Sequence, residues 1–217
     1  MFKTISYKGL LTAFFISIAS LTSSVNAQDA VDAPENPLAV APSGEYSVDI
    51  THASVVWKVS HLGFSTYVGR FNDFTADLNL DSADFSKSQV NVDIKVDSID
   101  TAYPFAEKKD FNKILAEDWF DSDEHPSITF SSTAVSALVD NKATVDGDLT
   151  MLGETHPVTL DVTFNKAAAK HPFKKVAVLG FSATTSLDRT VWGINNNAPA
   201  IGAEVIIEIE GEFLKTE

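Results

Sequence analysis

The chain has no cysteine among its 217 residues. That excludes a disulfide framework, a thiol nucleophile and a lipid-modified cysteine anchor. Arginine is nearly absent, occurring at Arg70 and Arg189, and Lys and Arg together number 16 against 30 acidic residues. The first 27 residues carry Lys3 and Lys8 and no acid. The remainder therefore has 14 basic and 30 acidic residues, a net charge of −16. Such a surface argues against nucleic acid, whose affinity comes largely from phosphate neutralised by Lys and Arg. It also disfavours electrostatic attachment to anionic lipid. Long hydrophobic runs are missing too: the apolar stretch at residues 10–21 falls short of the roughly 20 residues a membrane span needs. No Gly-x-Ser-x-Gly elbow, phosphate loop or dinucleotide fingerprint occurs. His52, His61, His125, His156 and His171 are scattered, with no pair at helical ligand spacing and no zinc signature. Neither a metal nor a cofactor is expected.

What is present begins with a transport address. Positive charge at Lys3 and Lys8, a short apolar run and the small-residue site Val25-Asn26-Ala27 read as a signal peptide over residues 1–27. Residues 28–43 are small, acidic and proline-bearing, which reads as a flexible leader. Residues 44–217 then fit one domain. The acidic balance suits solubility in an exported compartment.

Within the domain the dominant signal is a period of two. In residues 51–74, Val55, Trp57 and Val59 share one parity and Val56, Lys58 and Ser60 the other. Gly63 and Gly69 bracket a connection, and Phe71 and Phe74 restart the apolar run. The same alternation recurs with Leu78 and Leu80, Val90 and Ile94, Ile128 and Phe130, Val145 and Leu149, Leu160 and Val162, Phe181, then Ile207 and Ile209. That makes about eight strands. The connections are mostly too short for parallel crossovers, so the expected fold is all-β, an eight-stranded antiparallel barrel. Residues 101–120 break the rule: Phe111, Ile114, Leu115 and Trp119 follow helical spacing and predict one or two short helices in a long insert over the sheet.

Candidates for chemistry are few. Asp121, Asp123 and Glu124 beside His125 read as a solvated turn before a strand rather than an acid–base cluster. His61 shares the parity of Trp57 and Val59, so its ring can face inward; a structural histidine is the plainer reading. Arg70 and Arg189 each neighbour glycine and aromatic residues. Such a guanidinium can anchor a ligand head group or pin strands together. No catalytic residue is assigned. Fifteen phenylalanines and three tryptophans fall mainly on inward parity or in the insert. They fill a core, or they line an apolar ligand space along a barrel axis.

The order and spacing of several segments resemble the YceI family, lipocalin-like exported proteins. The segments are Val55-Val56-Trp57-Lys58-Val59-Ser60-His61, Val68-Gly69-Arg70-Phe71-Asn72-Asp73-Phe74, Trp119-Phe120-Asp121 leading to His125-Pro126-Ser127-Ile128, Asp146-Gly147-Asp148-Leu149, and Arg189 to Gly193. The resemblance implies a lipocalin-like barrel that binds a polyisoprenoid or quinone-like lipid in its interior. It also implies the bacterial periplasm as compartment. Thr190 stands where the family often has an acidic residue close by. The expected ligand-binding set is Trp57, Val59, Phe71, Phe74, Leu78, Ile94, Phe130, Leu149, Leu160, Val162, Phe181 and Ile207, with His61, Arg70 and Arg189 as candidates for the polar end. Two rivals stay open: an enzyme acting on a small apolar or isoprenoid substrate, and a stress-response interaction protein without a ligand. A homodimer is a further assembly on which the sequence is silent.

Overall fold

The computed structural model describes residues 36–216. The expected signal peptide and residues 28–35 lie outside this range. Eleven strands follow one another: β1 (Gly44–Val48), β2 (Ser54–His61), β3 (Ser65–Phe71), β4 (Phe74–Leu80), β5 (Gln89–Lys95), β6 (Ile99–Asp100), β7 (Ser127–Val135), β8 (Lys142–Met151), β9 (Glu154–Ala168), β10 (Val178–Asp188) and β11 (Ile201–Lys215). Three pairs are halves of longer, bent strands. A single 3-10 turn at Ile50–His52 separates β1 from β2, and another at Val96–Ser98 separates β5 from β6. The dipeptide Asn72-Asp73 does the same between β3 and β4. Counted this way the fold is a closed, eight-stranded antiparallel barrel, with β11 pairing to both β1 and β2.

The pleat follows the residue pattern. In β4, Phe74, Ala76, Leu78 and Leu80 are buried while Thr75, Asp77 and Asn79 are exposed. The β8–β9 hairpin turns on Leu152 and Gly153, both at positive φ (53° and 75°), the twist that a two-residue hairpin requires. Two glycines let large rings lie flat against the next strand. A Cβ on Gly69 would stand 2.1 Å from Trp57 Cζ2, and one on Gly147 would stand 2.3 Å from Phe130 Cζ.

Two apolar clusters result. The larger, including Val55, Phe71, Phe74, Phe130, Val162 and Trp192, surrounds the barrel axis. The smaller closes one end with Leu38, Tyr46, Leu80, Phe164 and Leu179. Leu38 and Ala41 are each 1 % exposed there, so this part of the expected flexible leader is a packed plug. The composition hid it because the two anchoring side chains sit among prolines and acids.

At the opposite end lies the insert between β6 and β7. Helix α1 (Phe111–Ile114) is capped by Asp110, whose carboxylate accepts from the Lys113 amide at 3.0 Å, and it runs into a π-helical turn at Leu115–Trp119. Its buried face, Leu115 and Ala116, packs onto the main cluster. One irregularity interrupts the barrel wall. The β9–β10 ladder ends at the Asp161–Thr184 pair. Beyond it β9 pairs with β8 as far as Glu154, and β10 with β11 as far as Asp188. A seam therefore opens between residues 155–160 and 185–188.

Candidate functional site

One cavity runs inside the barrel, with a water-accessible volume of ≈ 270 Å³. Along β11 its wall extends from Ile201 to Phe213. Twelve residue steps at about 3.3 Å each, on strands tilted by about 40°, place its ends roughly 30 Å apart along the axis. The exposed surface inside is apolar throughout. The space is long, narrow and greasy, which fits a chain rather than a compact polar molecule.

Trp57, Val59, Phe71, Phe74, Leu78, Ile94, Phe130, Leu149, Leu160, Val162, Phe181 and Ile207 all lie on this wall, and so does Arg189. The twelve strand residues point inward because each occupies the inner parity of its strand. Sequence reasoning missed the contribution of the insert. Leu115, Trp119 and Phe120 close the cavity from that side, and the helical spacing of the segment was the signal for it.

Two of the expected polar positions lie off this wall. Arg70 is exposed and lies off the cavity wall. It pairs in the ladder with Val56 and Asp100; the Asp100 carboxyl is lowered in pKa by the Ala102 amide first, then by the Asn72 side chain, with burial opposing, and the Asn112 side chain and Arg70 add the smallest effects. The reason is parity: Phe71 faces in, so its neighbour faces out. His61 is also off the wall. It keeps inward parity but sits at the last residue of β2, opposite Ile201 at the rim of the cavity, where its ring lies 6.2 Å from that of Tyr67.

Arg189 is buried, 5 % exposed, and its guanidinium is committed to backbone. Nε donates to the Gly202 carbonyl (2.9 Å), Nη2 donates to the carbonyls of Asn196 (3.0 Å) and Ile201 (2.8 Å), and Nη1 donates to that of Ile194. Its carbon centre lies 5.2 Å from the centroid of Trp119. Burial lowers its pKa, with Asp188 opposing. This is a pin that folds residues 189–202 onto the barrel end and leaves little of the fork for a ligand.

Two buried side-chain nitrogens among the described residues lack a hydrogen-bond partner, Trp57 Nε1 and His156 Nε2. The His156 ring meets Trp192 edge to face at 5.1 Å, while Trp192 Nε1 donates to the Leu149 carbonyl at 3.2 Å. Asp121, Glu124 and His125 bring ligand-type atoms within 4.8 Å of one another. They form a tight turn, the amides of Glu124 and His125 both donating to the Asp121 carbonyl, as the sequence suggests.

A barrel of eight antiparallel strands around an apolar core space defines a lipocalin-like protein. The family follows from comparison: a model of the YceI-like domain matches residues 46–213, and the chain belongs to that family. A UPF0312 protein of Pseudomonas putida is 37 % identical over 174 residues, which cover 79 % of this chain and 88 % of that one. A UPF0312 protein of Vibrio parahaemolyticus is 33 % identical over 172 residues, 78 % of this chain and 86 % of that one. Among solved structures, BcnA of Burkholderia cenocepacia aligns with a TM-score of 0.65 and 24 % identity, over 76 % of this chain and 98 % of that one. A polyisoprenoid binding domain from Saccharophagus degradans, implicated in plant cell wall breakdown, aligns at 0.57 and 12 % identity, over 79 % of this chain and 98 % of that one. At these identities the two structures speak for the fold.

Proposed function

We propose that this protein is an exported, periplasmic carrier or sequestering protein for a long-chain isoprenoid lipid, with the tail held along the barrel axis. The observation that carries this reading is the narrow cavity along the barrel, whose exposed wall is apolar from the Leu115–Trp119 turn to Phe213. Each methylene moved from water into such a space is worth about 0.8 kcal/mol, so a tail of several isoprene units binds without any charged contact. Membership of the YceI-like family and the likeness in fold to a polyisoprenoid binding domain support the ligand class. The basic, apolar and small-residue pattern of residues 1–27 supports export.

A binding role is preferred over catalysis because of the ionisable groups on the wall. Arg189 is spent on backbone carbonyls, and Glu210 is exposed and accepts from Ser182 Oγ at 2.6 Å. Neither presents a free acid, base or nucleophile to the cavity. The test is native mass spectrometry, with organic extraction, of the protein isolated from the periplasm of its producing cells. A co-purifying isoprenoid is the expected result. Protein that is consistently empty, and that takes up no added prenyl lipid, overturns the carrier reading.

A further inference from the structure

An isoprenoid lipid has a polar end, and the cavity offers it no polar surface. The seam between β9 and β10 does. A second hollow lies there, lined on β9 by His156, Val158 and Thr159, on β10 by Thr185 to Asp188, and behind by Trp192. Val158, Thr185 and Leu187 line both this notch and the main cavity. The two spaces are therefore separated by one layer of side chains, with no ladder bonds between the strands. Pro157 fits this arrangement. From the hairpin at Leu152-Gly153, its backbone points toward β10, so the missing N–H falls on the unpaired edge.

We infer that this notch holds the head group of the bound amphiphile, and that it selects an uncharged head carrying a hydroxyl or carbonyl over an anionic one. This rests on the carrier reading above. His156 Nε2 supplies the recognition: a buried imidazole nitrogen without a partner is left wanting one hydrogen bond. The rim supplies the selectivity. No lysine or arginine lines the notch, whereas Asp188 does. Thr159 donates to the Asp146 carboxylate, and Ser186 donates to that of Glu204 at 2.7 Å. Three carboxylates thus stand on or beside the opening. A diphosphate would meet like charge there, and the guanidinium that could offset it, Arg189, already donates to four carbonyls. The carboxylates of Asp188, Asp146 and Glu204 each hold a protein hydroxyl, Thr190 serving Asp188, so the open position belongs to the imidazole.

The experiment uses the delipidated mature protein and four probes with the same 20-carbon prenyl tail: the alcohol, the diphosphate, the amine and the hydrocarbon without a head group. Affinities are read by tryptophan quenching for the wild type, His156→Leu and Trp57→Phe. The alcohol should bind at least about tenfold more tightly than the diphosphate, and His156→Leu should lose about tenfold for the alcohol and little for the hydrocarbon. Trp57→Phe should leave the ratio of alcohol to hydrocarbon unchanged. Equal or tighter binding of the diphosphate overturns the inference, as does an amine bound no more tightly than the diphosphate, or equal loss of alcohol and hydrocarbon in His156→Leu. So does a ratio governed by Trp57. If the hydrocarbon itself fails to bind, the carrier reading fails along with it; hydrocarbon binding without head-group preference removes this inference alone.

Discussion

The guanidinium of Arg189 lies 5.2 Å from the ring of Trp119, which joins the loop after β10 to the insert after β6 across the mouth of the barrel. Both residues also line the cavity. One side chain therefore fixes residues 189–202 through four carbonyls and steadies the aromatic cover through its face.

Replacing Arg189 by Met keeps much of the side-chain volume and removes every donor. Four carbonyls lose their partner, and groups that stay buried cost about 1–3 kcal/mol each. Water entering at the barrel end relieves part of that. The expected loss is about 3–5 kcal/mol in urea unfolding, comparable to breaking a buried ion pair. Arg189→Lys should recover little, since an ammonium cannot span the same carbonyls. Near wild-type stability in both variants would show that the residue is no pin.

Gly69 tests how the wall was shaped. A methyl group there would overlap the Trp57 indole, so Gly69→Ala forces the ring off its strand. Overpacking of this kind costs about 1–3 kcal/mol. Because Trp57 lines the cavity, prenyl-lipid affinity should fall together with stability, and the near-ultraviolet circular dichroism of the indole should change. Unaltered dichroism and affinity would show that the ring does not need the glycine.

Much of this was legible in the chain. The period of two survived into the barrel because each strand has one wet and one dry face, so twelve apolar residues on inner parity reached one cavity. The same logic already opposed Arg70 to Phe71, and one wall could not hold both. His61 differs: parity tells which way a side chain points, not whether it reaches the wall at the rim, where His61 stands opposite Ile201. Leu38 and Ala41 were hidden by a composition that resembles a tail. The β9–β10 seam left one trace, Pro157 inside a strand, because which neighbour a strand lacks is decided by closure of the whole barrel and not by its own residues.

Filling the tunnel separates carriage from folding. Ala183 is a small residue on the wall of β10, facing the axis, while its neighbour Thr184 is exposed. Ala183→Phe places a ring in the empty space. Stability should change by less than about 1.5 kcal/mol, because the void accepts the added volume. Co-purified lipid should be lost. Thr184→Phe, on the outer face, should keep it. Retention of lipid by Ala183→Phe, read by native mass spectrometry, would place the ligand elsewhere.

Asp49, itself off the cavity wall, gives a pH signature. Its carboxylate is nearly buried and accepts from the Thr51 hydroxyl (2.6 Å) and amide (3.1 Å), with the His52 ring at 3.2 Å. The Thr51 hydroxyl does most to lower its pKa, burial opposes, and the His52 ring, the Thr51 amide and Lys174 add to the lowering; the result is about 2, against an ordinary 3.8. A carboxyl depressed in the folded state stabilises fully above its unfolded pKa. That stability disappears as pH falls from near 3.8 through about 2. The displacement corresponds to about 2 kcal/mol. Asp49→Asn should therefore lower stability by about that amount at neutral pH, and its stability should be less sensitive to pH than the wild type's between 4 and 2. Urea titrations at several pH values give both curves. Parallel curves across that window would mean that Asp49 carries no linked proton.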